Sequence, residues 1–168
     1  MKYIALLRGI NVGGNNKVPV ADLKMIFQSL GFDNVQTYIN SGNVIFESDL
    51  MDKVALVELC EQTIEKKFGF RVVCSVIRAK ELHDALNNAP RWWGVDNGSK
   101  HNALFIIAPA TASGIIKEVG EAKPEYEKIA PLETFGRTRY SKIVGTNSYA
   151  SVTIRNANTA KKLAELSK

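Results

Sequence analysis

Val35-Gln36-Thr37-Tyr38-Ile39-Asn40-Ser41-Gly42-Asn43-Val44-Ile45-Phe46 decides how the first half of this chain folds. Val35 to Ile39 and Asn43 to Phe46 are runs rich in β-branched and aromatic residues, and Asn40-Ser41-Gly42 between them is turn chemistry. The stretch reads as a hairpin, or as one long bent strand. On its N-terminal side, Val20, Leu23, Ile26, Phe27 and Leu30 recur at helical spacing, with Pro19 at a first-turn position and Gly31 as the stop. Tyr3 to Leu7, before that, is an apolar strand-like run. On its C-terminal side, Ser48-Asp49 is expected to cap a second helix, whose apolar stripe is Val57, Cys60, Ile64 and Phe68 and whose end is near Gly69. Arg71 to Ile77 is a strand again. The order β-α-β-β-α-β is that of a ferredoxin-like unit.

The remainder repeats the theme less cleanly. A short helix is expected around Glu81 to Asn87, a strand from His101 to Ala108, a helix around Ala112 to Val119, extended segments at Tyr140 to Val144 and Ser151 to Ile154, and a last helix from about Asn158 to Leu166. The fold class expected is therefore α+β, as two fused ferredoxin-like sandwiches, residues 1–78 and residues 79–168.

With 168 residues and 45% of them apolar, the chain can bury a core as one domain or two small ones, and 23% charged residues without biased repeats argue against disorder. The first apolar run breaks at Arg8, short of a signal or spanning segment, so a cytoplasmic protein without a membrane partner is expected. The net charge of +5 is concentrated late: from Thr134 onward there are seven Lys and Arg, Arg137 and Arg139 among them, against one acid, Glu165. Such a field attracts phosphate-bearing partners, nucleic acid included, or only aids solubility.

Arg8-Gly9-Ile10-Asn11-Val12-Gly13-Gly14-Asn15-Asn16-Lys17 carries the functional signal. Glycines, asparagines and two cations between a strand and a helix offer backbone N–H groups, amides and positive charge together, which is anion-site chemistry. It is not a phosphate-loop signature, because Asn15 follows Gly14 where lysine is required, and no Gly-x-Gly-x-x-Gly threads through it. The candidate ligand set is Arg8, Asn11, Gly13, Gly14, Asn16 and Lys17, completed by Asn40, Ser41 and Asn43 from the hairpin turn and by Arg155 and Asn156. Arg155 and Asn156 stand where a strand meets the N-terminus of the last helix, so they are expected to share the ligand of the Arg8 loop, or else to be structural.

Three stretches carry a resemblance: Ala5-Leu6-Leu7-Arg8-Gly9-Ile10-Asn11-Val12-Gly13-Gly14, Tyr38-Ile39-Asn40-Ser41-Gly42-Asn43, and Thr153-Ile154-Arg155-Asn156-Ala157-Asn158-Thr159. They resemble the signature stretches of the bacterial family called domain of unknown function 1697, and the likeness spans nearly the whole chain. Ala89-Pro90-Arg91-Trp92-Trp93-Gly94 followed by His101-Asn102 is similar to the form this family takes in low-GC Gram-positive bacteria. The resemblance implies an α+β sandwich of ferredoxin-like type and no established activity. The chain departs from the pattern between Ile129 and Thr134, where an apolar stretch ending in Phe-Trp is replaced by Ala130-Pro131-Leu132-Glu133.

Catalytic constellations are thin. His83 and His101 form no metal-ligand pair, Ser41 lacks the glycine of a nucleophile elbow, and Glu118, Glu121, Glu125 and Glu127 are interleaved with lysines as on a solvated face. Cys60 and Cys74 read as buried thiols, and no metal or cofactor is expected. Trp92 and Trp93, beside Arg91, either close a core edge, the favoured role, or stack bases or sugars. Three functional readings follow in order: a module that binds a phosphate-bearing or other anion (a nucleotide or nucleic acid); a structural protein supporting a homo-oligomer; and an enzyme on a phosphorylated small molecule with His101 or Glu47 as base.

Overall fold

The computed structural model of the chain describes residues 1–95, 100–120, 135–136, 143 and 145–168. The expected strand at Tyr140 to Val144, the Ala130-Pro131-Leu132-Glu133 segment, the cations Arg137 and Arg139, and Glu121, Glu125 and Glu127 lie wholly or mostly outside these residues. Two compact units are present, one formed by Met1–Lys80 with Leu163–Lys168 and the other by Glu81–Lys162.

In the first unit the elements are β1 (Lys2–Leu7), α1 (Val20–Ser29), β2 (Asp33–Tyr38), β3 (Asn43–Glu47), α2 (Lys53–Phe68) and β4 (Cys74–Arg78). The strands form one antiparallel sheet in the order β2-β3-β1-β4. The hairpin stretch is a hairpin: Tyr38 pairs with Asn43, leaving Ile39 to Gly42 as the connection. Pairing of Tyr3 with Phe46 brings their rings into a stack at 5.7 Å. Phe32 stacks on Phe46 at 4.5 Å and Phe27 meets it edge-on at 5.4 Å, so one buried aromatic cluster joins β1, β3 and α1. Along α1 the buried residues are Leu23, Ile26 and Phe27, as the spacing predicts. On α2 they are Leu56, Cys60 and Ile64, spaced by one helical step of four, while Val57 and Phe68 are only half-buried.

The second helix begins later than expected. Asp52, not Ser48 or Asp49, is its N-cap, and its carboxylate accepts from Val54 N at 2.9 Å and from Ala55 N at 3.5 Å. Ser48 instead turns the chain, accepting from Leu50 N at 3.1 Å. Gly69 closes α2 at φ +74°, where any other residue is strained. At the sheet edge, β2 is bulged between Asp33 and Gln36, which spoils it as a template for another strand. Cys60 and Cys74 are free and buried, and burial pushes the Cys60 thiol up to about 12. Both are packing groups rather than nucleophiles.

The second unit contains α3 (Ala79–Asn87, its first turn shared with the first unit), β5 (Asn102–Ile106), α4 (Ala112–Val119), β6 (Phe135–Gly136), a 3₁₀ turn at Asn147–Ser151, β7 (Val152–Asn156) and the start of α5 (Ala157–Leu166), whose residues from Leu163 onward belong to the first unit. Its antiparallel sheet has the order β6-β5-β7. Leu104, Ile115, Val119, Ile143 and Val152 form its core. Glu118 has a more specific role than a solvated face: its carboxylate accepts from Asn147 N at 2.9 Å, from Ser148 N at 3.2 Å and from the Ser148 hydroxyl, capping the 3₁₀ turn. The fold is α+β with antiparallel sheets and five helices among the described residues. None of these helices is long and apolar enough to cross a membrane.

Candidate functional site

β1 delivers the chain to the Arg8 loop in sheet register, since Leu7 N donates to Gly42 O at 2.8 Å and Arg8 N to Val73 O at 2.9 Å. Beyond it the backbone folds on itself. Val12 and Asn15 pair across Gly13-Gly14, both at positive φ (+58° and +81°), which is the two-residue hairpin turn that Gly-Gly suits best. Asn15 N donates to Val12 O at 3.0 Å, and Asn11 N to Asn16 O at 3.1 Å. Asn11 and Asn16 also have positive φ, tolerated because asparagine is the least strained non-glycine residue there. Ile10 is buried beneath, while Asn11 to Lys17 are exposed and Arg8 is half-buried.

The asparagines hold the loop. Asn11 Oδ1 accepts from Val18 N at 2.8 Å, and Asn11 Nδ2 donates to Val18 O at 3.0 Å and to Asn40 O at 2.9 Å. One amide thus closes the loop at the threshold of α1 and ties it to the β2–β3 turn. Asn16 Nδ2 donates to Gly9 O at 3.2 Å. In the neighbouring turn, Asn43 is fully buried and its Nδ2 donates to Tyr38 O and Ser41 Oγ, both at 2.9 Å. An asparagine at these positions serves the backbone before it can serve a ligand. Replacing Asn11 with glycine keeps the positive φ and removes the clamp, so chemical denaturation is expected to show a loss of about 1–3 kcal/mol, from three part-exposed hydrogen bonds at roughly 1 kcal/mol each. A loss below a few tenths would mean that the clamp is ornamental.

What the loop leaves open is backbone and charge. Gly13, Gly14 and the Lys17 ammonium are exposed, and α1 starts behind Pro19 with no side-chain cap, whereas α2 and α4 are capped by Asp52 and Thr111. The first N–H groups of α1 therefore stand next to the loop without the usual side-chain acceptor.

In the second unit, Arg155 on β7 is buried, and its Nη1 donates to Thr153 Oγ1 at 2.8 Å and to Ile154 O at 2.9 Å. Burial lowers its guanidinium to about 10, which leaves it charged at neutral pH. Asn156 caps α5, accepting from Thr159 N at 2.8 Å. Glu47 does not suit a base for the Arg8 loop. It closes the opposite end of β3 from Asn43, and its carboxylate meets Lys2 Nζ at 3.8 Å and Asn34 Nδ2 at 3.0 Å. The described residues contain no group of three or more His, Cys, Asp or Glu placed to hold a metal.

A family described as a protein of unknown function, DUF1697, matches residues 1–134. Among solved structures, a conserved bacterial protein from Streptococcus pneumoniae, SP0830, is similar at 30% identity with a TM-score of 0.84, over 99% of this chain and 98% of that one. No curated protein matches. With the family match covering most of the length and this likeness end to end, the chain belongs to the DUF1697 family of proteins of unknown function.

Proposed function

We propose that this protein is a binding module for a phosphate-bearing small ligand or a comparable anion, held where the Arg8–Lys17 loop meets the start of α1. The observation that carries the reading is the uncapped N-terminus of α1 beside an exposed Gly13-Gly14 turn and Lys17, in a loop already fixed by Asn11. Backbone N–H groups that need no rearrangement bind anions at low entropic cost, and a helix N-terminus adds about half a positive charge. Asn11, Asn16 and Asn43 act in this reading as positioning residues, and Gly13, Gly14, Lys17 and Arg8 face the ligand. The protein is read as cytoplasmic, with its two units as ferredoxin-like sandwiches; the β2-β3-β1-β4 order supports that for the first unit.

The structural reading has one observation in its favour: every hydrogen-bonding position of the Asn11 amide hydrogens is spent inside the fold. A thermal-shift panel of nucleotides, phosphosugars and inorganic phosphate separates the two. A ligand at about 100 times its Kd stabilises by about 2.7 kcal/mol, and Lys17→Ala is expected to remove most of that shift without lowering the melting point of the free protein. A panel in which nothing raises the melting point favours the structural reading.

A further inference from the structure

Two stretches of the first unit flank Arg8-Gly9, and each brings a cation to it. On one side Arg8 N donates to Val73 O at 2.9 Å, and on the other Asn16 Nδ2 donates to Gly9 O at 3.2 Å. Lys17 follows Asn16 directly, and Arg71 precedes Val73 by two residues, about 7 Å of extended chain. Both cations are exposed, and among the described residues neither has a hydrogen bond or an ion pair. The carboxylate that reaches the Arg71 stretch, Glu61, accepts from Cys74 N at 2.8 Å instead.

The sheet pattern gives Arg71 its direction. Leu7, Val72 and Cys74 are buried in the core shared with α1 and α2. Burial alternates from Arg71 to Cys74, being exposed, buried, half-buried and buried in turn, so Arg71 and Val73 turn to the opposite face of the sheet. Arg8 takes that same face by alternation with Leu7. The Leu7–Cys74 pairing and the Arg8–Val73 hydrogen bond thus put Arg8 and Arg71 on one face at one end of the sheet.

We propose that Arg71 is a further ligand-binding residue of the Arg8 loop and that the ligand is of the diphosphate class, one phosphate held by the loop amides and Lys17 and the second by Arg71. The inference rests on the anion reading of that loop. A monophosphate occupies one flank of Arg8-Gly9 and leaves the cation on the other flank without an anion, whereas two linked phosphates engage both. Arginine suits the outer position, because its planar fork donates two parallel hydrogen bonds to one phosphate and its charge persists at any working pH.

The test is isothermal titration of the full chain with inorganic pyrophosphate and with orthophosphate at one ionic strength, for the parent protein, Arg71→Ala, Arg71→Lys and Lys17→Ala. Pyrophosphate is expected to bind at least about tenfold more tightly than orthophosphate, since one additional charge-assisted hydrogen bond is worth that much. Arg71→Ala should remove this preference by weakening pyrophosphate alone, Arg71→Lys should restore only part of it, and Lys17→Ala should weaken both anions. Pyrophosphate binding indifferent to Arg71→Ala, or equal losses for the two anions, would overturn the role of Arg71 while Lys17-dependent orthophosphate binding upholds the loop. If neither anion binds the parent protein, both readings fall.

Discussion

Gly42→Val is expected to cost the first unit about 3–5 kcal/mol, a fall in melting temperature on the order of 10 °C. Gly42 closes the β2–β3 turn at φ +74°, and a Cβ there would stand 2.7 Å from Leu7 Cβ and 2.8 Å from Ile10 Cδ1. Leu7 and Ile10 are themselves buried, so neither can swing aside. Gly14 is the control. It has a similar φ, +81°, but nothing lies within 4 Å of its missing Cβ, so Gly14→Val carries only the conformational cost of about 1–2 kcal/mol. Thermal melts of the two variants side by side measure the close approach by difference. Equal losses would show that the turn and the Ile10 layer do not pack as described.

Phe46→Ala should be comparably severe, at about 3–5 kcal/mol in urea unfolding. Phe46 is fully buried on β3, stacked on Phe32, edge-on to Phe27 and opposite Tyr3, whose hydroxyl donates to Leu50 O at 3.0 Å. Truncation leaves a cavity at the point where the sheet meets α1, and the surrounding rings are too constrained to fill it. Leucine at the same position removes the ring geometry but keeps most of the volume. A double-mutant cycle of Phe46→Leu with Phe32→Leu should give a coupling of about 0.5–1.5 kcal/mol. A loss under about 1 kcal/mol for Phe46→Ala would mean that the aromatic cluster is not the core of this unit.

The features legible in the sequence were those that depend on local chemistry. Alternating β-branched runs around Asn40-Ser41-Gly42 gave the hairpin, helical spacing gave α1, and Ala112 to Val119 was found to the residue. The start of α2 was misplaced because Ser48-Asp49 and Asp52 are equally good capping chemistry. Only the path of Leu50 and Met51 shows which carboxylate meets the first turn. In the candidate site, residue types were readable and partners were not. Asn11 reads as a ligand donor from its type and place, and the sequence does not show that its amide donates to Asn40 O on another element. Glu47 looked like a candidate base until register put it at the far end of β3. Ile39 is the least predictable: a β-branched residue at φ +49° is strained, and no sequence rule would place it there.

The central claim, that the Arg8–Lys17 loop with the start of α1 is a preformed anion site, is tested most directly by amide nuclear magnetic resonance. The full chain, labelled with nitrogen-15, is titrated with the best stabiliser from the phosphate-ligand panel, or with inorganic pyrophosphate if none stands out. The account predicts saturable shifts centred on the amides of Gly13, Gly14, Lys17 and the first turn of α1, with Asn11 and Val18 keeping their hydrogen-bonded positions because the loop does not rearrange. Shifts centred elsewhere, or a loop that stays silent at saturating ligand, would contradict it.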